Sequence, residues 1–260
     1  MFIDTHCHLD AAEFEADRAA VIARARAEGV DGFVVPAVTA AGFAALDALA
    51  DATPGVARAF GLHPMFVDRA RSDDLDLLAE RLAAPTVVAV GEIGLDGYVD
   101  SPDLDVQRRW FEVQLDLARE FDLPVILHVR HAVDAIIQTL RRARVCGGIA
   151  HAFNGSRQQA EQLLKLGFKL GFGGTITFAG SRRIRALASD LPDDAIVLET
   201  DAPDMPPAWA RGQRNEPAAI ARIAAELAVL RGQDVTAIAR LTRRNAHQAL
   251  PRLATCSGSV

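Results

Sequence analysis

The chain has 260 residues, 50% of them hydrophobic, and a formal net charge of −6 at pH 7. The length and the hydrophobic fraction suit one large globular domain. The negative net charge argues against a protein that coats nucleic acid nonspecifically, but it does not exclude a local cationic groove. Three cysteines are too few for a disulfide framework, and we find neither a membrane-span-length apolar run nor a signal peptide pattern, so we expect a cytoplasmic protein without membrane contact.

Apolar strands and amphipathic helices alternate along the chain. A short strand opens it, and seven more are predicted at residues 30–35, 56–62, 86–90, 123–127, 148–150, 168–172 and 195–198. Helices are predicted at residues 13–28, 39–52, 73–83, 104–121, 132–144, 157–166, 182–189, 216–231 and 235–250. Because the strands lack polar alternation, both faces of a parallel sheet should be covered. The pattern predicts an α/β protein, a single-domain TIM (β/α)₈ barrel over residues 1–254 with a flexible tail at 255–260.

Polar side chains stand directly after most of these strands. They are His6 and His8, His63, Glu92, His128, His151 and Asp201, after the first, third, fourth, fifth, sixth and eighth strands. Barrel active sites lie at the carboxyl ends of the strands, so these residues should converge on one cavity. Taken singly, each has a plainer interpretation as a helix cap, a core histidine or a solvated charge. Together they favour a catalytic metal site.

The first eight residues carry the strongest local signal. If the opening strand stays regular, Asp4, His6 and His8 share one face and Cys7 points to the other. Neutral imidazole is a favoured ligand of zinc and related ions, so the two histidines predict a metal. A pair of surface histidines at a frayed terminus is the alternative.

The predicted donors are more than one ion needs, which indicates two divalent metal ions. Glu92 is the natural bridge, because the glycines beside it let backbone and ions approach closely. One ion would be held by His6, His8 and Asp201, and the other by His128 and His151. Such a pair activates water and neutralises charge on a phosphoryl group or a carbonyl. Imidazoles favour Zn, Mn or Ni, whereas Mg prefers oxygen ligands, so the ion itself stays open.

Six segments resemble the motifs of the TatD family of metal-dependent deoxyribonucleases, in the amidohydrolase superfamily. They are residues 3–8, 61–64, 91–96, 124–130, 151–153 and 199–203, in family order. Residues 201–206 and 173–177 look most like the YjjV-type branch. The resemblance implies a distorted barrel, divalent metal ions and hydrolysis of phosphodiester bonds in DNA, typically from the 3′ end of single strands.

The resemblance also implies roles for individual residues. The implied metal ligands are His6, His8, Glu92, His128, His151 and Asp201. Catalysis would depend on Glu92 and on Asp201, which takes a proton from the attacking water. His63 would act as a substrate contact or proton donor, and Arg130 would face a phosphate.

Other residues are predicted to support the site. Asp4, Asp96 and Glu199 could accept hydrogen bonds from ligand imidazoles and fix their tautomers. The backbone of Asn154 and its neighbours could bind a substrate phosphate at a helix start, although Ser156 acting as a plain N-cap is the alternative. The proline-rich stretch 202–215 is expected to form a lid or wall of the site.

The substrate is less well determined than the chemistry. TatD itself often has an aromatic residue after the Ala-Pro that follows the last strand, and this chain has Asp204, which repels a nucleic-acid backbone and cannot stack a base. The leading hypothesis is a deoxyribonuclease acting on DNA ends. The alternatives are hydrolysis of a small amide, ester or phosphoester, and a metal-binding protein without turnover. No obligate protein partner is predicted.

Overall fold

The computed structural model describes residues 1–253, so the tail predicted at 255–260 lies outside the described residues. Within that range the strands are β1 (Phe2–Asp4), β2 (Val30–Pro36), β3 (Val56–Phe60), β4 (Val87–Asp96), β5 (Val125–Arg130), β6 (Gly148–Ala150), β7 (Phe168–Phe172) and β8 (Ile196–Leu198). The α-helices there are α1 (Arg18–Ala27), α2 (Phe43–Ala52), α3 (Ser72–Leu82), α4 (Leu104–Glu120), α5 (Val133–Ala143), α6 (Arg157–Lys165), α7 (Arg182–Asp190), α8 (Ile220–Arg231) and α9 (Val235–Ala249). None of these helices combines the length and apolar character needed to cross a membrane.

The strands form one parallel sheet in the order β1 to β8. Just beyond the strand ends, backbone hydrogen bonds join the two edges, from Thr5 N to the Leu198 oxygen (3.0 Å) and from Asp201 N to the His6 oxygen (2.9 Å). The sheet is therefore a nearly closed barrel, and the predicted single-domain (β/α)₈ fold is confirmed. The same bonds bring the segments after β1 and β8 side by side.

Apolar side chains fill the barrel and the layer between sheet and helices. The barrel interior holds small and branched residues, which are Ile3, Val34, Ala57, Ala59, Val88, Ala89, Ile126, Ile149 and Val197. Ala246, Ala249 and Leu250 of the α9 region pack with this group, since they belong to the same buried cluster. Polar groups are thus concentrated at the opposite, carboxyl end of the strands.

Strands β4 and β5 extend three or more residues beyond their predicted ends. After an irregularity between Val90 and Ile93, β4 continues to pair with β5 as far as Asp96, which lies opposite Arg130. Glu92 and His128 therefore lie within strands, and the prediction that they follow them is wrong. The sequence pattern does not predict these longer strands, because their extension depends on pairing between segments more than thirty residues apart.

The first helix is shorter than predicted. It begins at Arg18, because residues Ala12–Phe14 form a separate 3₁₀ turn that buries Phe14. The Arg18 side chain then donates to the backbone oxygen of Leu9 (2.6 Å), which fixes the connection from β1.

Candidate metal centre

His6, His8 and Asp201 meet where the barrel edges join. The chain bends after β1, so the predicted regular strand through His8 is not formed. The two Nε2 atoms nevertheless lie 3.3 Å apart, and Asp201 Oδ1 lies 3.6 Å from each. The backbone bond from Asp201 N to His6 fixes this approach. These residues therefore form one group of converging donors, the first donor group.

Glu92 approaches this group through its Oε2 atom. Its Oε2 lies 3.1 Å from His6 Nε2 and 3.7 Å from His8 Nε2. Its Oε1 faces the opposite way, 2.7 Å from His128 Nδ1. The side chain is 2% exposed, so both oxygens are committed to the interior of the site. Glu92 thus stands between two sets of donors.

The second donor group surrounds Glu92 Oε1. His63 Nε2 lies 3.4 Å from this oxygen and 3.0 Å from His128 Nδ1, and His151 Nε2 lies 3.5 Å from the oxygen. His63, which sequence analysis placed beside the ions, thus lies among donor atoms that could hold one. The His151 ring also stacks on His6, with ring centroids 3.7 Å apart. His6, Glu92 and His151 form a further set of converging donors, so His151 lies between the two groups.

Buried charges hold the carboxylates ionised. Burial alone raises the pKa of Glu92, but the imidazoles of His6 and His63 hold it well below its usual range. Burial likewise acts against the charge on Asp201, yet His151 and His8 lower its pKa. Carboxylates at both donor groups are therefore available as anionic ligands.

The same carboxylates favour positive charge on His8 and His151. Burial lowers the pKa of His8, but the Asp201 carboxylate raises it to about 9. For His151, Asp201 and Glu199 outweigh burial and raise the pKa to about 10. Moreover, two ring nitrogens that face each other at 3.3 Å, as in His6 and His8, need a proton or a cation between them. The donor set therefore fits divalent ions.

Carboxylates behind the site orient its imidazoles. Asp96 Oδ2 accepts from His128 Nε2 (2.9 Å), as predicted from the sequence. Glu199 Oε1 lies 3.4 Å from His151 Nδ1 and accepts from the backbone N of Ala152. Asp4 behaves differently, because it accepts from the backbone N of His6 and from Thr200, and burial raises its pKa to about 8. Asp4 thus joins β1 to the segment after β8 and does not contact an imidazole.

Two buried amides support the site and were missed by sequence reasoning. Gln114 of α4 bonds both backbone groups of Leu62, directly before His63 (2.6 and 3.1 Å). Gln107 does the same for Asp96 (2.7 and 3.0 Å). The two glutamines lie seven residues apart on the buried face that includes Phe111. The sequence signal for these supporting residues is two glutamines at α4 positions where the helical period predicts apolar side chains.

The remaining predicted contacts lie at the mouth. The Arg130 guanidinium lies 3.8 Å from Asp96 Oδ2. Asn154 accepts from Arg183 (2.6 Å), while Ser156 caps α6 with Gln159, as in the plainer interpretation of this helix start. The stretch 202–215, which is predicted to be a lid or wall, is held in place by Asn215, whose Nδ2 donates to the backbone oxygens of Thr200 and Asp204 (2.9 Å each).

Asp96→Asn should weaken metal binding roughly 10- to 100-fold, because an amide no longer fixes the His128 tautomer that presents Nδ1 to the site. Competition with a chelating dye measures the affinity. Asp105→Asn, on an exposed turn of α4, is the matched control and should bind metal as the native protein does. Unchanged affinity in Asp96→Asn would contradict the positioning role of Asp96.

Known proteins are similar to this chain over almost its whole length. A family model described as "TatD related DNase" matches residues 3–251. A metal-dependent hydrolase of Escherichia coli K12, YjjV, is 41% identical over 95% of this chain and 96% of its own length. Its crystal structure superposes with a TM-score of 0.93, covering 96% of this chain and 98% of that one. A Rahnella protein named "3'-5' ssDNA/RNA exonuclease TatD" is 33% identical over 93% of this chain and 95% of its own.

Proposed function

The chain belongs to the TatD related DNase family of metal-dependent hydrolases, and from this premise we propose that it hydrolyses phosphodiester bonds in DNA, removing nucleotides from the 3′ end of single strands. The name of the Rahnella relative supports this direction of cleavage. Sequence similarity to that relative extends over nearly the whole chain, so the proposal concerns the whole barrel.

The position of Glu92 carries the proposal. One of its oxygens faces His6 and His8 and the other faces His128, so a single buried carboxylate is shared by two donor groups. Two divalent ions held there would activate water and neutralise the charge of a phosphoryl group. The first donor group together with Glu92 would hold one ion, and Glu92 with His128 and His151 the other.

The chain's own residues would handle protons and substrate. Asp201 is ionised and 16% exposed, so it can accept a proton from a water molecule at the mouth. Burial lowers the pKa of His63 although the Glu92 carboxylate acts the other way, so its imidazole releases a proton more readily than a free histidine does. His63 is therefore suited to a hydrogen bond with the leaving oxygen, and Arg130, half exposed at the rim, to a phosphate oxygen.

One observation favours a second candidate, a hydrolase of small esters or phosphoesters. Asp204 lies at the same mouth, where its backbone N donates to the Asp201 oxygen (2.8 Å). Burial and the nearby Asp201 charge raise its pKa, but an ionised carboxylate there repels a polyanion. A short substrate would avoid this repulsion.

Metal-stripped protein restored with Mg, Mn or Zn should shorten a 5′-labelled single-stranded DNA oligomer one nucleotide at a time. The ladder is resolved by gel electrophoresis. An oligomer with phosphorothioate linkages at its 3′ end is the control and should resist cleavage. Absence of shortening with every ion, while a small phosphodiester is still hydrolysed, would refute the DNA proposal in favour of the second candidate. Salt provides an independent check, since KM should rise steeply with salt only for the polyanion.

A further inference from the structure

We propose that Tyr98 is a stacking surface for the nucleobase next to the bond that is cleaved, so that the substrate must carry an unpaired base. The proposal rests on the proposed function and names the part of the substrate that the metal centre does not bind. The surface consists of Tyr98, Arg130 and His131, called here the Tyr98 shelf. It lies at the mouth of the barrel, where β4 and β5 extend beyond their neighbours.

The exposure of Tyr98 is the first argument. Its side chain is 64% exposed, although the Arg130 guanidinium carbon lies only 3.9 Å from the ring centroid. Much of the ring thus remains open to solvent while the guanidinium covers part of it. Nucleobases of any sequence can stack on an exposed aromatic ring, and a neighbouring guanidinium adds a cation–π contribution.

The rigidity of the shelf is the second argument. Tyr98 N donates to Asp96 Oδ1 (2.8 Å), and Gly97 N donates to the Arg130 oxygen (2.7 Å). A side chain at Gly97 would meet the His131 oxygen, since a Cβ built there lies 2.8 Å from it. The His131 ring lies 5.7 Å from the Tyr98 ring, tilted by 36°. The exposed ring is therefore held in place before any ligand binds, which lowers the entropy cost of stacking.

The link to the metal centre is the third argument. Asp96 accepts from Tyr98 N through Oδ1 and from His128 Nε2 through Oδ2. One carboxylate thus positions both an imidazole that faces Glu92 and the shelf at the rim. The same carboxylate therefore fixes where a base resting on Tyr98 lies relative to the His128 imidazole.

Calorimetric binding of two ligands to the metal-loaded protein tests the shelf. The ligands are deoxyadenosine 5′-monophosphate and 2-deoxyribose 5-phosphate, in which a hydroxyl group replaces the base. Native protein should bind the nucleotide roughly 5- to 150-fold more tightly, the range expected for one stacked base. Tyr98→Ala should lose this preference while keeping its affinity for the sugar phosphate and its metal content. Tyr98→Phe, which keeps the ring, should retain the preference.

The outcomes separate this proposal from the nuclease proposal. No preference for the nucleotide in native protein, or a preference that survives Tyr98→Ala, overturns the shelf even if the protein degrades DNA. A preference that depends on Tyr98, in a protein that cleaves no oligonucleotide, refutes the nuclease proposal and leaves the shelf as the site for another base-bearing phosphoester.

Discussion

Glu92→Gln is expected to lower kcat/KM for DNA by roughly 10³-fold or more and to remove at least one bound metal ion per chain. The neutral amide keeps the size of the side chain but offers one oxygen where the carboxylate presents two, one to His6 and one to His128. The neighbouring imidazoles also lose the anion that favours their charge. Loss of one electrostatic group at a reacting centre already costs about 10²- to 10³-fold, and Glu92 serves two groups at once. Steady-state kinetics and elemental analysis of metal content measure the two effects.

Glu92→Asp is the matched control for charge. It restores the anion with a shorter side chain, so it should bind metal better than Glu92→Gln and still turn over slowly, because one carboxylate must span both donor groups. A Glu92→Gln protein with native metal content and kcat/KM within tenfold of native would contradict the bridging role.

Asp201→Asn should reduce kcat by about 10²- to 10⁴-fold, the usual contribution of a positioned proton acceptor, while the second donor group keeps its metal. The backbone tolerates the change, because Asp201 has φ +58° and asparagine adopts the left-handed region readily. Single-turnover cleavage of the DNA oligomer, with metal content determined on the same sample, separates lost proton transfer from lost ions.

Asp204→Asn is the matched control for this change. It removes a carboxylate three residues further along the same wall, and it should leave kcat within about threefold of native while lowering KM for DNA by relieving repulsion. Native turnover by Asp201→Asn with metal still bound would show that Asp201 is not the proton acceptor.

Most helices and strands can be predicted because their sequence patterns are local. The predicted helix at 104–121 is observed as Leu104–Glu120, and the predicted strand at 168–172 is Phe168–Phe172. Helix periodicity and apolar strand composition are properties of neighbouring residues, so they can be recognised in the sequence. The order of the elements then limits the topology, because right-handed crossovers between parallel strands leave few arrangements, and eight such units match a (β/α)₈ barrel.

Long-range contacts account for what the sequence could not predict. The length of β4 depends on its pairing with β5, and the role of Gln114 depends on Leu62, 52 residues earlier in the chain. The sequence predicts that Glu92 and His63 reach one cavity. It does not specify which oxygen of Glu92 faces which donors, or that His63 lies 3.0 Å from His128.

The measurement that tests the two-group centre most directly is electron paramagnetic resonance of metal-stripped protein titrated with Mn²⁺. If Glu92 joins two occupied donor groups, two ions should bind per chain and the saturated protein should give the spectrum of a magnetically coupled pair, which Glu92→Gln lacks. A single uncoupled ion per chain at saturation would contradict the account, because the shared carboxylate would then not bridge two ions.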